Sequence, residues 1–341
     1  MRVGTMRSIE RITGYEDGYG LYAMDVRYRY DLDRLISRGI TDDRSLVEAI
    51  RKEAIPFLPV RIRAPEFSCT AFSMTTADSK HLMGRNYDFK FDTSAMIVRC
   101  RPQDGFSSIA FAALDNIGAN DPMGFRSRIA CLTAPFICLD GVNEKGVSIA
   151  VLTLDSEPTR QKTEGRPTIA TSLVIRLVLD RADSTEAAVE LIGGYAMLAT
   201  SGRDYHFFIT DASGDSRVVE YDCDSPDRAM TVTRVEATTN FYAMHEDRAL
   251  PNQRNGPYGH GRERYDSVID VIERTRGSAT PEDAWEALRV SSQLPDPEDI
   301  TSNTQWSIVY SNTDLAAEAS IRLHWEDRFG CDLRTGDVSK L

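Results

Sequence analysis

The 341 residues contain no apolar run approaching the roughly 20 that a membrane-spanning helix requires. The opening stretch MRVGTMRSIERITGYEDGYG has basic residues but no apolar core, so it is not read as a secretory signal. A cytoplasmic location is the expectation that follows. Histidine is scarce, at 5, and no CxxC pair occurs among the 6 cysteines at positions 69, 100, 131, 138, 223 and 331. The Cys131–Cys138 gap is too wide for a usual zinc knuckle, and without a signal peptide a disulfide framework is not expected. Most of these cysteines are therefore expected to be small buried hydrophobes. Low-complexity segments and internal repeats are absent. Positive charge is in deficit, with 40 Lys and Arg against 52 Asp and Glu, and the net charge of −12 is spread along the chain. Such a surface repels phosphate backbones and anionic headgroups, which makes nucleic acid and membrane poor partners.

What is present is ordinary for a globular protein, 41% hydrophobic and 27% charged, over a length that suits one large domain or two small ones. The first 68 residues read as folded yet distinct from the rest. Tyr19–Tyr30 is rich in aromatic residues and reads as strand. Asp42–Ala54 reads as helix, with Thr41 or Ser45 as cap and Ile55-Pro-Phe-Leu-Pro59 as its stop. Beyond it, strands are predicted at Cys69–Met74, His81–Met83, Ala95–Arg99, Ser107–Ala112 and Val147–Leu154, with a tight turn at Gly84-Arg85-Asn86. Helices are predicted at Ile169–Arg181, Thr185–Ile192, Glu263–Thr275 and Pro281–Val290. A hairpin is predicted from Tyr205–Thr210 and Arg217–Tyr221, and strands at Met230–Arg234, Glu236–Thr239, Trp306–Ser311 and Ala319–Trp325. Runs of strands, then helices, then strands point to an α+β protein with packed antiparallel sheets and helices outside.

A lone strand-opening cysteine is usually a core residue. Cys69 is followed, however, by Arg85 and Asp88 within Gly84-Arg85-Asn86-Tyr87-Asp88-Phe89. Cys-Thr opening a strand with a GRNxDF segment at this distance resembles the choloylglycine hydrolase family. That family includes bile salt hydrolases and penicillin V acylases and is related to acid ceramidase and the N-acylethanolamine-hydrolysing amidases. The resemblance continues through Asn143-Glu-Lys-Gly146 with Val147-Ser-Ile-Ala150, Thr239-Asn240, Glu263-Arg264-Tyr265 and Gln305–Tyr310, covering about 69–310 in order.

The resemblance implies an α+β fold, a four-layer αββα sandwich of N-terminal-nucleophile hydrolases. It also implies a pro-segment, 1–68, cut from a catalytic domain, 69–341, between Ser68 and Cys69. Cys69 would then be the nucleophile and its freed α-amine the general base, since such an amine titrates at roughly 7.7–8.0 and is largely neutral near physiological pH. Arg85 would favour the thiolate, Asp88 would orient the amine, Asn240 would donate to the oxyanion, and Arg264 would hold Asp88 and the Cys69 terminus in register. No metal or cofactor is implied. A papain-like pairing with His81, His206, His245, His260 or His324 lacks the expected context around the cysteine, and His245-Glu246-Asp247 reads as an exposed loop without a recognised metal spacing.

Three departures bear on substrate. Thr153 stands where bile salt hydrolases place an asparagine near the oxyanion, so its backbone amide is the expected contact. The stretch between Asn240 and Arg264 is short, which argues against the bile salt hydrolase tetramer. The long pro-segment resembles the acid ceramidase branch, where the released chain stays attached, so 1–68 is expected to remain as a bound small subunit. A homo-oligomer is compatible with all of this. The expected activity is hydrolysis of N-acyl amides of conjugated bile acid, penicillin V, N-acyl amino acid or N-acylethanolamine type. The alternatives are an acyltransferase using the same acyl-enzyme, and an uncleaved, non-catalytic ligand-binding homologue.

Overall fold

The computed structural model describes residues 2–55, 68–162, 165–296 and 303–341. The first part contributes α1 (Arg2–Ser8), β1 (Glu10–Gly14), β2 (Gly20–Val26), α2 (Leu32–Ile36) and α3 (Asp43–Ala54). From Ser68 the chain runs through β3 (Ser68–Thr75), β4 (His81–Asp88), β5 (Ala95–Cys100), β6 (Ser108–Ala113), α4 (Phe125–Ala130), β7 (Asp140–Asn143) and β8 (Ser148–Leu154). The middle holds β9 (Thr168–Ala170), α5 (Thr171–Arg181), α6 (Thr185–Gly193), β10 (Ala196–Leu198), β11 (Asp204–Thr210), β12 (Ser216–Tyr221), β13 (Met230–Arg234) and β14 (Ala237–Thr238). The end holds α7 (Arg262–Thr275), α8 (Pro281–Val290), β15 (Thr304–Ser311), β16 (Ala316–Ile321), β17 (Arg328–Asp332) and β18 (Val338–Lys340). No helix among the described residues is long and apolar enough to cross a membrane.

Two sheets carry the architecture. One is nine-stranded in the order β1-β2-β5-β6-β7-β8-β11-β12-β13, the other seven-stranded in the order β14-β3-β4-β15-β16-β17-β18. α5 and α6 pack on the first sheet and α7 and α8 on the second, while β3 meets β8 and β11 across the space between the sheets. The result is the expected α+β sandwich in four layers, helices–sheet–sheet–helices. Strand β8 reads as buried from its unbroken SIAVLTL, and all its residues are buried, because one face meets the other sheet and the opposite face lies under α5.

Local chemistry sets the helix boundaries. Asp42 caps α3, accepting from the Ser45 amide at 2.7 Å, and Ser45 completes the capping box, so the cap is the residue between the two expected candidates. Thr280 and Asp283 make the same reciprocal box at the start of α8, behind Pro281 at its first position.

Four readings change. Gly84-Arg85-Asn86 is not a turn: it lies mid-strand in β4, paired with β3 and β15 on both sides. Glycine is required there by packing, since a Cβ at 84 would stand 2.1 Å from the Phe72 ring. The last predicted strand is displaced, to Ala316–Ile321, and β17 and β18 follow it. The predicted Glu236–Thr239 shrinks to the two residues of β14. Finally, the N-terminal segment is not distinct from the body. β2 joins the nine-stranded sheet in parallel with β5, Leu21 opposite Ala95 through Val26 opposite Cys100, and Leu21, Ala23 and Met24 are fully buried in the shared core. The stop at Ile55–Pro59 and the RAPEFS stretch fall mainly on 56–67, outside the described residues.

Candidate active site

Strand periodicity separates the two sides of β3. Cys69 and Ala71 lie with Met83 and Tyr87 in the core that joins the two sheets, whereas Phe72 and Met74 pack under α7 and α8. Register places Cys69 opposite Tyr87 and Ala71 opposite Arg85, so Arg85 and the Cys69 thiol share the inter-sheet face. Thr70 and Asp88 fall on the helix face. The site is therefore divided by the backbone of its own strand.

On the inter-sheet side, Arg85 is fully buried. Its Nη2 donates to the Val151 carbonyl at 2.8 Å and its Nε faces Asp140 at 3.4 Å. Asp140 in turn accepts from Trp306 Nε1 at 3.3 Å and from the Tyr310 hydroxyl. Arg85 Nη1 has no hydrogen-bond partner among the described residues. Burial pushes the Cys69 thiol up to about 12; the neighbouring Arg85 cation pulls it down, the Asp88 charge adds to the rise, and the Asp88 amide and an Arg85 hydrogen bond favour the thiolate. The thiol is thus held neutral beside the Arg85 cation.

On the other side, the backbone of Cys69 is gripped at both ends. Its N–H donates to Asn240 Oδ1 at 2.9 Å, and its carbonyl accepts from Arg264 Nη1 at 2.7 Å. Arg264 Nη2 donates to the same Asn240 oxygen at 2.7 Å, and Nη1 reaches Thr70 Oγ1 at 2.9 Å. Two donors on Oδ1 fix the orientation of the Asn240 amide, so Nδ2 points at Thr153, 2.8 Å from its carbonyl and 3.4 Å from its hydroxyl. Asp88 lies 3.7 Å from Arg264 and accepts from Thr304 Oγ1 at 2.6 Å and Gln293 Nε2 at 2.8 Å. Burial raises its carboxyl, against the opposing pull of Arg264, the two hydrogen bonds and Arg85.

Arg264 reaches this position because α7 begins abruptly. Gly261, in the left-handed region at φ 91°, precedes the helix, and a Cβ there would meet Arg264 Nη2 at 2.4 Å. The Gly261 carbonyl accepts from Thr239 Oγ1 at 2.9 Å, tying the helix start to the residue before Asn240. His206 Nε2 lies 2.8 Å from the Thr239 carbonyl, with Glu220 3.3 Å from Nδ1. It thus supports the Asn240 segment from behind instead of facing the cysteine. His245 is not in an exposed loop: it sits in a 3-10 turn, Ala243–Arg248, with only 12% of its side chain exposed.

Cys69, Arg85, Asp88, Thr153, Asn240 and Arg264 are all brought together, and Ser68 pairs with Asp88 in register. Three partners had escaped the sequence reading. Asp140 begins the strand that ends at Asn143, close before a segment already singled out, and its position could have been noticed. Gln293 and Thr304 carry no sequence signal, because only the folding of α8 and β15 against β4 brings them to Asp88.

Residues 69–237 match the model of the linear amide C-N hydrolases, choloylglycine hydrolase family. This span, 69–237, is similar to a family of enzymes, and the chain is a hydrolase of linear carbon–nitrogen amide bonds. Solved structures agree in fold. Two variants of the conjugated bile acid hydrolase from Clostridium perfringens superpose with TM-scores of 0.56 and 0.57 at 15% identity, each over 80% of this chain and 96% of theirs. The penicillin V acylase from Agrobacterium tumefaciens gives a TM-score of 0.54 at 18% identity, over 80% of this chain and 91% of its own.

Proposed function

We propose that this amide hydrolase cuts itself between Ser68 and Cys69 and then works through a thioester on Cys69. The observation that carries the reading is the grip on the Cys69 backbone. The nitrogen that would become the α-amine is already hydrogen-bonded to Asn240, while Arg264 holds the carbonyl of the same residue.

In self-processing, Cys69 Sγ attacks the Ser68 carbonyl carbon. The Ser68–Cys69 carbon–nitrogen bond breaks as the nitrogen takes a proton, leaving a thioester. Water then releases the Ser68 carboxylate and regenerates the thiol. In turnover, the new α-amine takes the thiol proton while sulfur attacks the substrate carbonyl. The proton passes to the leaving amine, and water hydrolyses the acyl-enzyme. Arg85 favours the thiolate, Asn240 Nδ2 and the Thr153 amide serve the developing oxyanion, and Arg264 keeps Cys69, Asn240 and Asp88 in register. Asp88, held by Thr304 and Gln293, orients the amine.

The N-terminal segment stays bound as a small subunit in this reading. The support is β2, whose buried parallel pairing with β5 leaves the shared core open if the segment departs. Substrates are N-acyl amides with an apolar acyl group, of the conjugated bile acid, penicillin V, N-acyl amino acid or N-acylethanolamine type. An added amine acceptor distinguishes acyl transfer, by the appearance of a transferred amide, from hydrolysis.

The test is intact mass of the purified protein beside Cys69→Ala, followed by size-exclusion chromatography. Two masses split at Ser68–Cys69, co-migrating in one peak, with the variant whole and inactive, are expected. A single uncut chain that still hydrolyses amides would overturn the mechanism, and a small chain eluting alone would overturn the retained subunit. A single uncut, inactive chain would favour the ligand-binding alternative.

A further inference from the structure

A second set of reactive side chains gathers where β12 ends. Asp222 and Cys223 follow that strand directly, and the turn Ala243–Arg248 brings His245 back over them. The Asp222 carboxylate, the Cys223 sulfur and a His245 ring nitrogen all lie within 4.8 Å of one another. His245 Nε2 is 3.7 Å from Asp222 Oδ1 and 3.6 Å from Asp224 Oδ2, too far for hydrogen bonds. That nitrogen is buried and has no hydrogen-bond partner among the described residues. A buried ring nitrogen thus stands at ion-pair distance from two carboxylates, with a thiol close by, and makes no hydrogen bond among the described residues.

The 3.7 Å between His245 Nε2 and Asp222 Oδ1 is also a separation that two ligands of one metal ion show. A zinc ion holding N, O and S ligands at about 2.0–2.3 Å spaces them roughly 3.3–3.8 Å apart. The surroundings are also built before any ion arrives. The Ala243 and Met244 amides donate to the Glu220 carboxylate at 3.0 and 2.6 Å, pinning the turn to β12. Tyr242 and Tyr258 meet the His245 ring edge-on at 6.2 and 5.4 Å. The Asp224 amide donates to Asp222 Oδ1 at 2.8 Å. Asp224 lies as near His245 Nε2 as Asp222 does, but its carboxylate is already engaged by Arg248 Nη1 at 2.7 Å and the Tyr258 hydroxyl at 2.8 Å and accepts from the Cys223 thiol at 3.8 Å.

We propose that Asp222, Cys223 and His245 bind a divalent cation of borderline softness, of the zinc type, with water as the fourth ligand. Thiolate and imidazole together select zinc over magnesium or calcium, which take oxygen ligands. Binding expels the Cys223 thiol proton to solvent. The chain between Cys223 and His245 contains Thr239 and Asn240, so the ion staples the segment that presents Asn240 to Cys69. The site concerns the fold, and it does not rest on the hydrolase reading.

The test uses cobalt(II) as the probe, added to chelator-treated Cys69→Ala protein so that the Cys69 thiol cannot compete. Stoichiometric cobalt is expected to give the near-ultraviolet absorption of a thiolate ligand together with tetrahedral visible bands, and zinc is expected to displace it. Cys223→Ser and His245→Ala, each on that background and with unchanged circular dichroism, should each weaken binding by at least about a hundredfold, beyond the 10–100-fold that a supporting partner is worth. No thiolate band with stoichiometric cobalt, or a band that survives both substitutions, would overturn the site and leave an ordinary histidine–carboxylate cluster.

Discussion

Asn240 joins three groups, accepting from the Cys69 amide and Arg264 while donating to Thr153. If its Nδ2 also serves the developing oxyanion, Asn240→Ala removes a preorganised donor. The expected loss is about 10²–10³-fold in kcat. Steady-state kinetics on the best amide of the panel check this, and a fall in substrate affinity with kcat preserved would contradict the role. Asp140 is the residue-scale partner of Arg85 on the opposite face of β3. Asp140→Ala leaves a buried guanidinium without its carboxylate, at a cost of about 3–5 kcal/mol. Urea unfolding measures it, and the double variant with Arg85→Ala should cost less than the sum of the two singles.

Among the elements, β4 decides how the site is assembled. Its paired backbone sends Arg85 and Tyr87 to one face and Asn86 and Asp88 to the other. Asn86 Nδ2 donates to the Leu288 carbonyl at 2.8 Å, locking α8 to the strand, while its Oδ1 accepts from Ser307 at 2.6 Å. Gly84 leaves room for the Phe72 ring beneath α7 and α8. Gly84→Ala is therefore expected to destabilise by about 1–3 kcal/mol through overpacking. A smaller side chain at 72 should recover part of it in a double-variant cycle. Equal losses with and without Phe72 would mean that backbone strain, not the ring, sets the cost.

The whole molecule is held by a core that spans both sheets and includes the N-terminal strands, and it contains most of the cysteines. Burial pushes Cys100 up to about 11 and Cys69, Cys131 and Cys331 up to about 12, from an ordinary 9.0. Below pH 9 these thiols are protonated in folded and unfolded chains alike and contribute nothing to the pH dependence. Above it the unfolded chain releases protons that the folded one retains, so stability falls as pH rises. Thermal unfolding is expected to be level from about pH 7 to 8.5 and to decline from about 9 to 11. A midpoint rising across that upper range would contradict the buried thiols.

The sequence by itself carried the family signature and the cap of α8 at Thr280, whereas at α3 it offered Thr41 or Ser45 and the cap is Asp42. Cys69, Arg85, Asp88, Asn240 and Arg264 were legible because their spacing and local motifs survive without any fold. The α+β layering was legible because strand and helix patterns alternate in blocks. Period-two and period-3.6 burial are local properties, so they can be read along the chain. What only the tertiary structure decided depends on contacts between distant segments. A local reading made Gly84-Arg85-Asn86 a turn, because glycine beside polar residues favours one; pairing with two neighbouring strands overrode that preference. It also treated the first 68 residues as a unit apart, because nothing local reveals that Leu21 pairs with Ala95. Asp140, Gln293 and Thr304, and the meeting of Cys223 with His245, were invisible for the same reason: the residues that complete each cluster lie far apart in the chain, and only folding makes them neighbours.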